Sequence, residues 1–263
     1  MAGELSRLMP RDRRLLRLLA DHRVFTTEQV AALMFPSLTR AQQRLRLLHQ
    51  RTVLGRFRAA QAVGSQSWRW CLGPIGAAII AAERDQSIPR PSVVNARVDR
   101  LAGSQHLLHL LGVNQFFCAL ANYARANPGC KLARWWHERA ATKVCGDLVH
   151  PDGHGEWCQD GRSLRFWLEY DTGTETLPRL FEKINTDYRY LTSALAFPVL
   201  FWLPSRARET NLHTALARIE VHPVTVATAT SDSAKGAHPA DPIWWVHGHQ
   251  ERVRLIDIPP TPY

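Results

Sequence analysis

Apolar residues recur at helical spacing over Pro10–His22, where Leu15, Leu16, Leu18 and Leu19 gather on one side behind an opening proline. A second, short helix is expected over Thr27–Met34, with Thr26 or Thr27 as N-cap and Val30, Leu33 and Met34 turned inward. Phe35-Pro36-Ser37 breaks it. A third helix over 39–50 buries Leu45 and Leu48 and shows Arg40, Gln43, Arg44 and Arg51 on its other face, with Gln42 and Arg46 beside them. Two strand-like runs follow, 53–58 and 67–72, joined by a loop at 59–66 that holds Gly64 and Ser65. Three helices and then a hairpin is the order of a winged helix-turn-helix. The third helix would enter the major groove, and the hairpin, flanked by Arg56, Arg58 and Arg69, would touch the DNA backbone. A winged helix used for protein contacts, or a helical pair with a solvated basic face, shows the same pattern; charge separates them.

Farther on, 73–83 is an apolar helix expected to pack on the hairpin, and 85–91, with Pro89 and Pro91, reads as a hinge. The run 98–126 is one long helix or a helix pair, with Leu101, Leu107, Leu108, Leu111, Phe116, Phe117, Leu120 and Tyr123 at helical spacing. Such a stripe serves a core or a homodimer interface. Beyond Pro128-Gly129 the pattern is mixed. Strands are expected at Lys131–His137, 147–150, 164–171, 197–203 and 221–229, and helices at 177–194 and 206–218. The small polar stretch 228–241 reads as a flexible loop, and the proline-rich end as irregular. The expected class is α+β. Residues 1–84 form a DNA-binding domain, 85–127 a hinge and long helix, and 128–263 an α/β domain.

Charge sharpens this division. Residues 1–72 hold 13 Arg and no Lys against four acids, whereas the remaining 191 residues hold 20 basic and 19 acidic side chains. Nearly all of the formal +10 therefore sits in the first quarter of the chain, as expected of a polyanion-binding module joined to an electrically neutral one; with the winged-helix order, the expected polyanion is double-stranded DNA. Arg supplies 29 of the 33 basic residues, a choice that suits bidentate reading of phosphate and guanine and that a GC-rich coding sequence would also produce. The five cysteines form no CxxC pair and are odd in number, which points to a reducing compartment. The Arg-rich N-terminal stretch without a long apolar segment leads to the expectation of no signal peptide, and the longest apolar runs, 77–82 and 194–203, are too short to span a bilayer. The expectation is a cytoplasmic protein without membrane contact.

The chemistry-bearing residues lie in the second half. The run 164–168 is apolar and aromatic, a sequence suited to a buried strand, and it delivers Glu169 and Asp171 to one face at its end. Asp152, in His150-Pro151-Asp152-Gly153, would converge on them from the end of a neighbouring short strand. Packed carboxylates repel one another and call for a cation, and hard oxygen ligands suit Mg²⁺ or Mn²⁺. A plainer reading keeps Asp152-Gly153 as a turn and Thr172-Gly173-Thr174 as a helix cap. Metal ligation by His106 with His109, or by His247 with His249, competes with ordinary solvated or hydrogen-bonded histidines. Tyr188 and Tyr190 are candidate DNA nucleophiles on an amphipathic segment where packing is the commoner role, and Trp135-Trp136 and Trp244-Trp245 suit core or interface better than base stacking.

Pro151-Asp152 followed by Glu169 resembles the PD-(D/E)xK nuclease superfamily, in which a Pro-Asp precedes an acid-x-Lys on the next strand of an α/β core. Asp171 stands where that pattern has its lysine; Lys183 would supply the charge from a migrated position, and Glu138 of Trp135-Trp136-His137-Glu138 would be an upstream acid. The layout as a whole resembles the replication-relaxation family of plasmid and mobile-element proteins over most of 10–205: a winged helix, a middle helix, W-x-x-E, P-D-G, E-x-D-x-G-T, Lys183 and Tyr188. The resemblance implies a restriction-endonuclease-like second domain and a role in plasmid replication, DNA relaxation or transfer. Asp152, Glu169 and Asp171 would bind the metal, with Lys183 and Glu138 completing a nicking site. Other replication or transfer proteins would be partners. A non-catalytic accessory factor or repressor is the alternative.

Overall fold

The computed structural model describes residues 8–58, 66–191, 193–218 and 222–262, and divides the chain into two units with the boundary after Cys118. In the first unit, helix α1 (Pro10–His22) starts on a proline and buries Leu15, Leu16 and Leu19. Strand β1 (Phe25–Thr26) leads into helix α2 (Thr27–Met34), which a capping box opens: the Thr26 hydroxyl accepts from the Gln29 amide at 3.2 Å, and the Gln29 side chain accepts from the Thr26 amide at 2.9 Å. Helix α3 (Leu38–Gln50) has Ser37 as N-cap and buries Ala41, Leu45 and Leu48. Strands β2 (Leu54–Phe57) and β3 (Arg69–Leu72) pair antiparallel, and β1 joins the other edge of β3, giving the order β1-β3-β2. The loop expected at 59–66 lies, apart from Gln66, outside the described residues.

Helix α4 (Pro74–Glu83) packs beside β2 and β3 as expected. The segment 98–126 resolves into a helix pair, α5 (Pro91–Ala102) and α6 (Leu107–Ala126), with Gly103 at the end of α5. The first half of α6 belongs to the first core. Leu101, Leu107 and Leu111 cluster with Val24 and Cys71, the Gln29 side chain donates to the Leu111 carbonyl at 2.8 Å, and Asn114 donates to the Val24 carbonyl at 2.7 Å. The first unit thus reaches well past the expected boundary at 84, because the small sheet needs α5 and α6 to cover its apolar face.

The second unit is built on a seven-stranded sheet of order β10-β9-β8-β7-β6-β5-β4. Its strands are β4 (Lys131–His137), β5 (Gly153–Gln159), β6 (Arg162–Tyr170), β7 (Val199–Leu203), β8 (Val226–Thr230), β9 (Trp244–Val246) and β10 (Arg252–Val253). Strands β4, β5 and β6 form an antiparallel meander; β7 and β8 then run parallel to β6, and such neighbours need crossover connections. Helix α7 (Glu138–Val144) follows β4, helix α8 (Leu177–Glu182) lies in the β6–β7 crossover, and helix α9 (Arg206–Leu216) in the next. They cover one face of the sheet, where Trp167, Val199, Phe201 and Leu203 pack against Leu180, Ile184, Leu212 and Leu216.

Three sequence expectations fail here. Residues 147–150 form a turn, not a strand; Asp147 has φ 61°, and the strand follows at β5. That strand was hidden by its glycines. Gly155 faces Phe166 in register, and a Cβ there would stand 2.2 Å from the Phe166 ring, so the absent side chain is what admits the ring. The helix expected over 177–194 ends at Glu182 and continues as a π-helical turn, Lys183–Asp187, and a 3₁₀ turn, Tyr188–Tyr190. The strand expected from 221 begins at Val226, and β9 and β10 were not foreseen. Among the described residues, no helix is long and apolar enough to cross a membrane.

Candidate functional site

The meander brings Asp152 and Glu169 together. Gly153 pairs with Leu168, so Asp152, one residue before β5, stands across from Glu169 near the end of β6. The Tyr170 amide donates to Asp152 Oδ2 at 2.7 Å, which fixes that carboxylate against the neighbouring strand. Glu169 is 3% exposed and receives two donors: the Tyr188 hydroxyl on Oε1 at 2.7 Å and Lys183 Nζ on Oε2 at 3.0 Å. Lys183 also reaches Glu175 Oε2 at 3.1 Å.

The π turn explains how one carboxylate collects both donors. Its hydrogen bonds span five residues, and the Tyr188 amide donates to the Lys183 carbonyl. Residues five apart then lie close to one face, whereas an α-helix would splay them. Burial, then the nearby Asp152 charge, push the Glu169 carboxyl up to about 7 despite Lys183 and Tyr188. Burial alone would depress the Lys183 ammonium, but Glu169 and Glu175 hold it above its usual range. Burial first, and Glu169 second, raise the Tyr188 hydroxyl, which keeps it protonated and donating. Tyr188 is 1% exposed and engaged with Glu169, a placement suited to orienting that carboxylate and not to attacking DNA. Tyr190 is exposed.

The expected three-carboxylate set is not assembled. Asp171 shares the sheet face of Glu169 but is claimed by the Arg208 guanidinium of α9, and its other oxygen accepts from the Gly173 amide at 2.7 Å. Arg208 also donates to the Glu175 carbonyl, so it ties down the loop between β6 and α8. Glu138 opens α7, where a negative charge suits the helix N-terminus; its side chain is exposed. Among the described residues no group of three His, Cys, Asp or Glu side chains is arranged to hold a metal. His247 meets His213, with Nδ1 atoms 3.3 Å apart, while His249 is exposed. Trp136 packs on buried His154, and Trp244 is itself buried, so both tryptophan pairs contribute to packing. Glu175 and Arg208 carried no signal in the sequence that tied them to this centre.

In the first unit, Arg40, Gln42, Gln43 and Arg46 are exposed along α3, and Arg51 caps its end. Arg44 is a correction. It turns inward to Asp12 of α1, with Nε 3.0 Å from Oδ1, and Asp12 is buried while also accepting from the Met9 amide at 2.8 Å. Burying that carboxylate requires a cation, so Arg44 serves the fold and not the solvent face. Arg56 and Arg58 lie on one face of the hairpin, their guanidinium carbons 4.0 and 4.5 Å from the Trp68 ring centre. Alternation puts Arg69 on the opposite face, where it donates to Gln66 Oε1 at 2.7 Å. A groove of about 300 Å³ between α3 and the hairpin is lined by Gln42, Arg46, Arg56, Arg58 and Trp68.

The family model described as replication-relaxation matches residues 16–198. The chain belongs to the replication-relaxation family. No curated protein and no solved structure matches it. The replication-relaxation match contains the basic α3 and hairpin together with Asp152, Glu169, Asp171, Lys183 and Tyr188, and it ends before β7. Arg208 and the histidine pair fall outside it. Tyr188→Phe should leave the fold intact, since the ring stays buried, but should push the Glu169 carboxyl still higher by removing a donor to its charged form. Titration of Glu169 followed by carboxyl ¹³C chemical shift would register this, and an unmoved midpoint would refute the assigned role of Tyr188.

Proposed function

We propose that the chain is a DNA-binding protein of plasmid or mobile-element replication, relaxation or transfer, with a divalent-metal-dependent DNA-nicking site at Asp152 and Glu169. The observation that carries the reading is the pairing of these two carboxylates on adjacent strands with Lys183 at 3.0 Å from Glu169, inside the replication-relaxation match. In this reading the first unit is a winged helix-turn-helix that holds double-stranded DNA through Arg40, Gln43, Arg46, Arg56 and Arg58. The second is a nuclease-like α/β domain; Pro151-Asp152 ahead of one strand and Glu169 on the next support that likeness.

The donor set fits a small hard cation. Both side chains offer carboxylate oxygen; burial and then the Asp152 charge raise Glu169, and a bound cation would offset both. Asp152 and Glu169 would hold Mg²⁺ or Mn²⁺, which supplies Lewis acidity and an activated water when bound. Lys183 and Tyr188 keep Glu169 oriented and favour its ionised form, and Lys183 would stabilise charge on a scissile phosphate. The reducing cytoplasm is the compartment that suits five free cysteines. Other replication or transfer proteins, or a second copy of the chain, are the partners this role would involve.

A non-catalytic accessory factor or repressor is favoured by a different observation. Lys183 already bridges Glu169 and Glu175, and an internal ammonium that satisfies the acids leaves them no need of a metal. Supercoiled plasmid incubated with the protein and Mg²⁺ or Mn²⁺ separates the two. Open-circular product that EDTA suppresses is expected; intact supercoiled DNA under all conditions, with DNA still bound, would establish the accessory reading instead.

A further inference from the structure

We infer that Trp68 is a positioning residue for DNA contact, its indole serving as the plate on which the Arg56 and Arg58 guanidinium groups are held ready for backbone phosphates. The inference rests on the DNA-binding reading of the first unit. Phe57 pairs with Arg69, so Arg58 falls opposite Trp68, and Arg56, opposite Trp70, reaches Trp68 on the diagonal. Both guanidinium carbons lie within 4.5 Å of the Trp68 ring centre, and Arg56 is 5.8 Å from that of Trp70. A cation over an indole face is an attractive arrangement, and arginine, being planar and weakly hydrated, stacks on it well.

Position gives this stacking its use. The same faces line the groove against α3, where Arg46 stands opposite, so among the described residues three arginines converge on it against one acid, Glu28. Glu28 is itself engaged, accepting from the Ser67 hydroxyl at 2.6 Å. A strand backbone passing between a helix in the major groove and the hairpin beside it would meet these cations. Arginine side chains free in solution lose rotamer freedom when they bind, and side chains already stacked on a ring lose less.

Binding to a short duplex, measured with the full chain over a range of salt, tests this. Arg56→Ala and Arg58→Ala should each lower the slope of log affinity against log salt by about one. Trp68→Leu, which keeps apolar bulk without a π face, should weaken binding about tenfold at fixed salt with the slope kept. Trp68→Phe, which keeps a face, should stay within about twofold of the parent. Equal losses for Phe and Leu would assign Trp68 a merely structural role, and an unaltered Leu variant, or arginine variants with an unaltered slope, would overturn the inference. A parent chain that binds no duplex would instead overturn the DNA-binding reading on which it rests.

Discussion

Asp152→Asn is expected to raise the melting temperature of the metal-free second unit at pH 8 and to leave it almost unchanged at pH 5. The reason is the Glu169 carboxyl, lifted from 4.5 to about 7 by burial and then by the Asp152 charge. Between those two values the unfolded chain has released a proton that the folded chain still holds, so stability falls as pH rises through that window. Below it the penalty is absent; above it the penalty is complete. Asparagine removes the repelling charge and keeps an oxygen that can accept from the Tyr170 amide. Asp152 stands second to burial among the causes, so the gain at pH 8 is only part of the full penalty, about 1 kcal/mol or roughly 2–4 °C. Mg²⁺ or Mn²⁺ should raise the melting temperature of the parent at pH 8 by linkage, and should not do so for Asp152→Asn or Glu169→Gln. Nicking by either variant should fall at least about 100-fold. Melting curves at the two pH values, with and without metal, keep the two ideas separate. A pH-independent effect of Asp152→Asn would remove the coupling between the carboxylates, and indifference of the parent to both ions would remove the metal.

Arg44→Ala and Arg46→Ala should behave as opposites although they are two residues apart on one helix. Arg44 compensates Asp12, whose side chain is 1% exposed, and its removal strands a buried charge at a cost of about 3–5 kcal/mol. That corresponds to a fall of about 10 °C or more in the melting of the first unit. Arg46 is exposed on the groove, so its replacement should leave melting almost unmoved. Arg40→Ala combined with Arg46→Ala should weaken duplex binding at least about tenfold and reduce the salt slope by about two. Calorimetry paired with salt-dependent binding would measure both. A stable Arg44→Ala protein that has lost DNA would return Arg44 to the reading face; an Arg40/Arg46 variant that binds as the parent does would take the third helix out of DNA contact altogether.

What the chain determined by itself is what local signals determine. The bounds of α1 and α2 follow from Pro10 and from the Thr26–Gln29 capping box, features a few residues long whose physics needs no partner from elsewhere. The concentration of arginine in the first quarter of the chain, and the approach of Asp152 to Glu169 through a Pro-Asp and an apolar strand, were legible for the same reason: composition and alternation are written residue by residue. Tertiary structure decided the rest. Arg44 sits on a face that looks solvent-exposed by helical spacing, and only Asp12, 32 positions earlier, turns it inward. Strand β5 reads as glycine-broken until Phe166 fills the space over Gly155. The helix expected over 177–194 looked continuous, because nothing in a helical period marks the π turn that aligns Lys183 and Tyr188 on Glu169. Asp171 and Glu169 are equivalent by alternation, yet one is neutralised by Arg208 and the other carries the raised carboxyl. Each of these outcomes depends on which charge or ring arrives from a distant part of the chain, and a buried group takes its properties from that arrival and not from its neighbours in sequence.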